Sequence, residues 1–159
     1  YRKYPDDHIC FSKEIIRSSL ANWESFSRIS ISSDVFAIED SSFSQCKFLK
    51  YISVNSNNMR FASLQGILFT KNIDTLLCFP SRHCYRNYVI PSSATSIGDS
   101  AFFGCYALQS ITIPSSVTSI GKSAFSGCSA LQSITIPSSV TSIGNSAFSG
   151  CSALQSITI

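Results

Sequence analysis

Three copies of one 23-residue unit fill the second half of this chain. Residues 114–136 and 137–159 differ at one position only, where Asn145 stands in place of Lys122. Residues 91–113 differ from the last copy at four positions, which are Ala94, Asp99, Phe103 and Tyr106. A fixed period of this length is typical of a stacked repeat array, in which each unit packs on its neighbours.

Each unit contains one short alternating stretch that predicts a β-strand. In residues 131–136 apolar side chains stand at the first, fourth and sixth positions, and the last three residues alternate as in a half-buried strand. Pro137 follows and has no N–H for a strand ladder, so the strand ends there. Ser123 is placed to cap one short helical turn through Ala124 and Phe125. Because a unit is too short to bury its apolar side chains alone, we predict a mainly β solenoid of 23-residue coils.

The same pattern can be traced into the first half of the chain. Residues 38–54 overlay residues 97–113 with the Ile, Asp, Ser, Phe, Cys, Leu and Ile positions in register. Strands are predicted at a spacing of 23 residues, with one step of 36, over residues 29–31, 52–54, 88–90, 111–113, 134–136 and 157–159. The extra residues, within about 61–80, predict an inserted β-hairpin that pairs 67–70 with 75–79 and projects from the stack.

The two ends of the chain depart from the regular pattern. Residues 29–159 are assigned to the solenoid, and residues 1–28 to an N-terminal cap or a degenerate repeat. An amphipathic capping helix over residues 12–26 is one alternative, since a terminal coil needs an atypical neighbour to close it. The chain begins without Met and ends inside a repeat, so we expect a fragment that is truncated at its C-terminus. Its last coil would then be open, and we expect self-association through this coil.

The repeat resembles a known family. Leu-x-x-Ile-x-Ile-Pro, followed by Ser-Ser-Val-Thr-Ser-Ile-Gly and Ser-Ala-Phe-Ser-Gly-Cys, is similar to the BspA-type leucine-rich repeat, and the insert of residues 61–80 resembles one typical of that family. The resemblance covers residues 29–159 and implies a right-handed leucine-rich-repeat solenoid from a longer array. It also implies a surface or secreted protein of a host-associated bacterium or parasitic protist, with a role in adhesion. An intracellular protein–protein interaction scaffold of the same fold is the alternative.

The strand pattern also indicates which side chains could bind a ligand. Residues between the apolar positions point away from the core, onto the concave face of the solenoid. The candidate ligand-binding residues on this face are Arg28, Lys50, Tyr51, Arg86, Asn87, Gln109, Gln132 and Gln155. Arg28, Lys50 and Arg86 are predicted to form one basic strip with Tyr51 between them. Because Arg and Tyr are enriched at binding hot spots, we place the energetic centre of binding in this irregular half. The alternative is a solvated face without a partner.

Charge limits the partners that this face could take. The formal net charge is +3, and the only charged residues within 91–159 are Asp99 and Lys122. Lys and Arg are not dense enough for a nucleic-acid-binding protein. No apolar run approaches the ~20 residues of a membrane-spanning helix. We therefore expect a host or matrix protein as the partner, acidic or polyanionic in character, bound in a salt-sensitive manner.

Motifs for catalysis and metal binding are missing from the sequence. It has no phosphate-binding loop, no nucleophile elbow and no His-Glu-x-x-His zinc motif. The only histidines are His8 and His83, and neither the group within residues 6–10 nor that within residues 78–84 has the four spaced ligands of a structural zinc site. We predict no enzymatic activity, no metal and no cofactor.

Four of the seven cysteines occupy one position of the repeat, namely Cys46, Cys105, Cys128 and Cys151. On consecutive coils such residues should lie about 4.8 Å apart, which is within disulfide reach by Cα distance. Their side chains point in parallel, however, so we predict a row of buried thiols rather than disulfides. Cys10, Cys78 and Cys84 have no assigned role, and an odd total leaves at least one cysteine unpaired.

Overall fold

The computed structural model describes residues 2–4, 8–12, 15–17 and 25–159. Its strands are two to four residues long, and in chain order they are β1 Arg2–Tyr4, β2 His8–Phe11, β3 Ile15–Ile16, β4 Arg28–Ile31, β5 Ala37–Ile38, β6 Tyr51–Val54, β7 Phe61–Leu64, β8 Ile67–Thr70, β9 Thr75–Cys78, β10 Asn87–Val89, β11 Ser96–Ile97, β12 Ser110–Thr112, β13 Ser119–Ile120, β14 Ser133–Thr135, β15 Ser142–Ile143 and β16 Ser156–Thr158. Within these residues there is no α-helix, and hence no helix that could span a membrane.

The strands on one side of the coils form the concave face. β10, β12, β14 and β16 pair in parallel, with Asn87 opposite Ser110. β4 and β6 pair in parallel in the first half, where Arg28 lies opposite Tyr51. The mainly β solenoid and its six strands at the predicted spacing are thereby confirmed. β10, β12 and β14 end one residue before the predicted Ile, because the Pro after that Ile has no N–H to continue the ladder.

A second strand ladder, which we did not predict, runs along another side of the coils. The Ser-Ile pairs of β11, β13 and β15 stack in parallel, so that Ile97 lies opposite Ile120. The following turn is also bonded between coils, because the Phe102 N–H donates to the Ala124 carbonyl at 2.7 Å. Hydrogen bonds between coils thus satisfy backbone groups on three sides of each coil.

The helical turn predicted to start at Ser123 is wrong. Residues 122–127 form turns, and Ser123 has a left-handed backbone with a φ of 54°. Its repeat equivalents Ser100 and Ser146 have φ values of 55° and 59°. The Ser123 N–H donates to the Asn145 carbonyl of the next coil at 3.0 Å. Phe125 and Gly127 also donate to the next coil, whereas the Ser126 N–H donates to the Ser123 carbonyl within the turn.

The insert contains three strands. β8 pairs antiparallel with β9, which confirms the predicted hairpin, and β7 pairs antiparallel with the other edge of β8. β9 continues in parallel with β11, so that one sheet has the strand order β15-β13-β11-β9-β8-β7. The prediction that the hairpin projects from the stack is wrong, because Ile67, Leu68, Phe69 and Leu76 are fully buried.

Burial of the hairpin follows from the apolar side chains on both faces of β8. Leu68 packs in a hydrophobic cluster of the first half, together with Ile29 and Ile52. Ile67 and Phe69 point the other way and pack in the cluster of the second half. A strand that is apolar on both faces is most stable between two packed layers. The insert therefore lies between the two hydrophobic clusters and packs against both.

The described part of residues 1–28 continues the stack. β2 pairs in parallel with β4, and β3 pairs in parallel with β5. β3 is thus a strand, although it falls within residues 12–26, for which a capping helix was considered. Residues 13–14 and 18–24 of that stretch lie outside the described residues. The boundary of the solenoid at residue 29 remains a prediction.

All seven cysteines are free thiols, which agrees with the predicted thiol row. Each thiol of the regular coils donates to the carbonyl of a Phe in the coil before, with Sγ–O distances of 3.5 Å for Cys105, 3.2 Å for Cys128 and 3.1 Å for Cys151. Cys78 is also buried and interacts electrostatically with Cys46 and Cys105, so it lies near this row. Burial raises the pKa of Cys46 to about 12, and it also raises the pKa values of Cys78 and Cys105.

The last coil has more exposed apolar surface than the coils before it. Ile157 of β16 is 43% exposed, whereas the equivalent Ile134 of β14 is 3% exposed. The neighbouring coil covers Ile134, but no following coil covers Ile157 in this chain. Self-association through the last coil stays a prediction.

Candidate binding face

All eight residues that we predicted on the concave face have exposed side chains, these being Arg28, Lys50, Tyr51, Arg86, Asn87, Gln109, Gln132 and Gln155. Along β4, Arg28 and Ser30 point outward, whereas Ile29 and Ile31 are buried. The alternation of a half-buried strand therefore places the candidates as expected. That they bind a ligand remains a prediction.

The candidates form two columns that run across the coils. Arg28, Tyr51 and Asn87 each begin a strand. The other column stands just before the strands and consists of Lys50, Arg86, Gln109, Gln132 and Gln155. Backbone bonds hold this column together, as in the donation from Gln132 N–H to the Gln109 carbonyl at 3.3 Å. Both columns therefore have a fixed spacing set by the coils.

The insert interrupts these columns between β6 and β10. The turn that joins β7 to β8 contains Gln65 and Gly66, with φ values of 53° and 81°. The Gly66 carbonyl accepts a hydrogen bond from the Ile52 N–H at 2.9 Å, in the place where a neighbouring coil would bond to β6. Arg28 and Lys50 thus lie on one side of this turn, and Arg86 lies in the separate sheet on the other side.

Tyr51 packs directly against the turn. A Cβ atom on Gly66 would lie 2.3 Å from Cδ2 of the Tyr51 ring, so only glycine permits this approach. The ring is nevertheless 45% exposed. Tyr51 is therefore an aromatic side chain that is held in place on one side and open to a partner on the other.

His83, from the segment before β10, forms a hydrogen bond with the same turn. Its ring is buried, and Nε2 donates to the Gln65 carbonyl at 2.8 Å. The Tyr85 N–H donates to Nδ1 at 3.2 Å, so both ring nitrogens have a backbone partner. The ring also lies against Phe79, with centroids 5.0 Å apart. His83 therefore has a structural role that sequence reasoning missed.

Metal binding finds no support in the side-chain arrangement. Among the described residues, no group of three or more His, Cys, Asp or Glu side chains is placed to hold a metal ion. Cys84 Sγ lies 3.9 Å from His83 Nδ1, but that nitrogen already accepts the Tyr85 N–H. Cys78 is buried near the thiol row.

A chain of polar side chains crosses the first three concave strands. His8 Nε2 lies 2.7 Å from Ser30 Oγ, which lies 2.8 Å from Ser53 Oγ. Contact between Ser and His is also what a nucleophile and its base require. Here, however, the Ser30 hydroxyl is shared with Ser53 on a sheet face, and the row links strands β2, β4 and β6 side by side. We interpret it as a structural contact on the binding face.

A cluster at the edge of the concave face was also missed. The Arg82 guanidinium lies 5.7 Å from the centroid of the Phe48 ring and 6.0 Å from that of the Tyr106 ring. Phe48, Arg82 and Tyr106, the edge cluster, come from three successive coils and lie in the turns before β6, β10 and β12. Tyr106 was visible in the sequence only as a deviation of the first regular copy, and the coil of Arg82 has no template among the repeats.

A cleft lies beside β5, which among the described strands pairs with β3 only. Its volume is about 340 Å³, its floor includes Phe61 and Leu68, and Ser41 Oγ and Ser100 Oγ meet across it at 2.9 Å. Asp40 stands on its rim. The cleft marks the place where the insert displaces the regular second ladder.

Structures of bacterial leucine-rich repeat proteins are similar to this chain. A leucine-rich repeat protein from Eubacterium ventriosum has a TM-score of 0.82 and 34% identity, over 84% of this chain and 36% of that one. The pneumococcal vaccine antigen PcpA has a TM-score of 0.58 and 18% identity, over 84% of this chain and 44% of that one. A leucine rich cell surface protein from Faecalibacterium prausnitzii has a TM-score of 0.56 and 23% identity, over 85% of this chain and 52% of that one. The last two show the fold alone.

The chain spans between about a third and about half of the length of these three proteins. A search of the curated proteins found no match. The family model of the BspA type leucine rich repeat region matches residues 11–76 and 71–159, in six copies. These matched copies are the units that stack as coils in the structure. The chain therefore belongs to the BspA-type leucine-rich repeat family, whose repeats serve as binding modules.

Proposed function

We propose that this chain is the binding module of a surface or secreted repeat protein, and that it attaches to host protein or extracellular matrix. The surface location is suggested by one protein of this fold that is described as a leucine rich cell surface protein. Binding takes place on the concave face of the irregular half, where the insert lies. The partner is acidic or polyanionic.

The observation that carries this proposal is the charge of the face. Arg28, Lys50 and Arg86 are exposed, and no carboxylate of the described residues pairs with any of the three. Unpaired cations attract an anionic partner over a Debye length of about 8 Å at physiological salt. In the regular coils the same columns hold only Gln and Ser, whose weak hydrogen bonds compete with water.

Tyr51 gives the face a centre that can bind tightly. Its ring is fixed against Gly66, so little side-chain entropy is lost when a partner covers it. It lies opposite Arg28, and Lys50 precedes it in the chain. A fixed aromatic ring beside two cations has the composition of a binding hot spot.

We expect the combined replacement of Arg28, Lys50 and Arg86 by Ser to weaken attachment to a decellularised epithelial matrix layer about tenfold at low salt. Each exposed ion pair contributes roughly 0.2–1 kcal/mol, and three such pairs give about 1.4 kcal/mol. The loss should be smaller at physiological salt, because salt screens exposed charges. Attachment is measured by the amount of chain retained on the layer.

The matched control replaces Arg60, Lys71 and Lys122 by Ser, which removes three exposed cations that lie outside the two columns. This control should attach like the unaltered chain. Attachment that is unchanged by the basic replacement at both salt concentrations would contradict the proposal, as would an equal loss in the control.

The seven free thiols favour a second candidate, an intracellular protein–protein interaction scaffold. Reduced cysteines are usual in the cytosol, whereas secreted proteins more often contain disulfides. An antibody against the chain distinguishes the two locations. Labelling of intact cells supports the surface protein, and labelling only after permeabilisation supports the scaffold.

A further inference from the structure

The edge cluster is built around the guanidinium of Arg82. The Arg82 N–H donates to the Leu49 carbonyl at 2.8 Å, and its Nε donates to the Lys47 carbonyl at 3.4 Å. Among the described residues, no carboxylate pairs with its guanidinium. The backbone bonds and the two aromatic rings therefore hold Arg82 in one orientation while its charge remains open to a ligand.

The aromatic rings on either side of Arg82 are half exposed. Phe48 is 51% exposed and Tyr106 is 46% exposed, so neither ring is buried in the core. Tyr106 leans over Gly104, where an added Cβ would lie 3.3 Å from its hydroxyl oxygen. The two rings and the guanidinium near both of them form one exposed surface.

A groove extends this surface toward the first coil. It has a volume of about 300 Å³ and is lined by Ser25, Ser27, Phe48, Lys50 and Arg82. This volume lies at the lower end of the range for small-ligand sites. Lys50 adds a second exposed cation, and the two serines add hydroxyl groups.

Together the groove and the edge cluster form a row across four successive coils. Within this row, the distances from the Arg82 guanidinium to the centroids of the Phe48 and Tyr106 rings are 5.7 Å and 6.0 Å. From Phe48 to Arg82 to Tyr106 it alternates ring, cation and ring. A linear ligand that fits it must alternate flat apolar faces with anionic groups at a similar spacing.

We propose that this row binds an acidic saccharide chain, whose sulfate or carboxylate groups contact Arg82 and Lys50 while its sugar rings stack on Phe48 and Tyr106. The inference rests on the proposed function and gives its polyanionic partner a chemical class. The weakly positive C–H groups of a sugar ring are attracted to the negative face of an aromatic ring. The guanidinium matches the paired oxygens of a sulfate or carboxylate.

An acidic peptide fits this row less well than a saccharide. Its carboxylates would reach Arg82 and Lys50, but its backbone has no flat apolar face for Phe48 and Tyr106. The serine hydroxyls at the far end of the groove are suited to the hydroxyl groups of a sugar. The peptide is therefore the appropriate competitor in a test.

The regular coils offer the matched substitution. Ser129 and Ser152 stand at the repeat position of Tyr106, so replacing Tyr106 with Ser introduces the residue that the fold already accepts there. This change removes one ring without altering the net charge. Arg60 is exposed and lies at the start of the insert, so R60Q serves as the charge control for R82Q.

The experiment titrates the chain calorimetrically with a heparin-derived sulfated hexasaccharide, its desulfated counterpart and an oligoglutamate of equal charge. The sulfated hexasaccharide should bind more tightly than the other two. R82Q should weaken its binding about tenfold, through loss of a charge-assisted hydrogen bond. Y106S should weaken it about fivefold, through loss of ring stacking. R60Q should leave it unchanged.

The proposal is overturned if the oligoglutamate binds as tightly as the sulfated hexasaccharide, because the row would then recognise charge alone. It is also overturned if Y106S has no effect, or if R60Q weakens binding as much as R82Q does. These results would leave the proposed function intact, since attachment to the matrix layer that depends on Arg28 and Arg86 does not require the edge cluster.

Discussion

Replacing Asn58 with alanine is expected to lower the free energy of unfolding by about 4 kcal/mol. Asn58 is fully buried at the start of the insert. Its Nδ2 donates to the carbonyls of Ser32 and Val35, and its Oδ1 accepts from the N–H groups of Arg60 and Phe61, each at 2.8 Å. Alanine would leave these four backbone groups without their partner, at a cost of about 1 kcal/mol each.

Urea-induced unfolding measures this effect, and Asn57 provides the control. Asn57 is the neighbouring residue of the same type, but its side chain is exposed. N57A should change the free energy of unfolding by no more than about 0.5 kcal/mol. A loss below about 1 kcal/mol in N58A, or equal losses in both variants, would show that Asn58 does not anchor the insert to the first coils.

Raising the pH from about 8 to about 10 under reducing conditions is expected to lower the free energy of unfolding by about 4 kcal/mol. Burial raises the pKa of Cys46 from 9.0 to about 12, and it raises the pKa values of Cys78 and Cys105 as well. Above pH 9 the unfolded chain loses thiol protons that the native chain keeps. The contribution of these thiols to stability is therefore fully present below pH 9. Above pH 9 the free energy of unfolding falls by about 1.4 kcal/mol per thiol and pH unit.

Two single substitutions test whether the buried thiols cause this loss. C46A removes one of the thiols whose pKa is raised by burial, so its free energy of unfolding should fall by about 1.4 kcal/mol less than that of the unaltered chain between pH 8 and pH 10. C84A removes an exposed thiol, so its free energy of unfolding should fall as much as that of the unaltered chain. An identical pH dependence in all three proteins would contradict the assignment to the thiol row.

The regular coils could be predicted closely because each residue packs against copies of itself. Ile134 is buried and Pro137 follows the end of β14, as the period alone indicates. The second ladder was missed because its strands are very short. Ser119–Ile120 is a two-residue strand, which is too short to show an alternation in the sequence.

The insert could be predicted as a hairpin, but its position in the fold could not. Turn residues and two apolar runs sufficed for the pairing of β8 with β9. The consecutive apolar residues of β8 were a signal that both faces of this strand are buried, which excludes a projecting hairpin. The contacts of Asn58 and His83 left no such signal, because the bonds that join them to distant segments are made to single backbone carbonyls.

The candidate site could be predicted in part. Strand alternation identified the exposed positions, including Arg28 and Lys50, from the sequence alone. The interruption of the face by Gly66, and the approach of Arg82 to Phe48 and Tyr106, depend on how an irregular coil packs. A repeat period carries no information about such a coil.

The most direct test of where binding takes place is lysine acetylation of the chain while it is attached to the matrix layer, read by mass spectrometry. Lys50 lies on the concave face of the irregular half, whereas Lys122 lies in a regular coil, and both side chains are exposed in the free protein. The proposed function predicts that attachment slows the acetylation of Lys50 and leaves that of Lys122 unchanged. Slower acetylation of Lys122 with an unchanged Lys50 would contradict it.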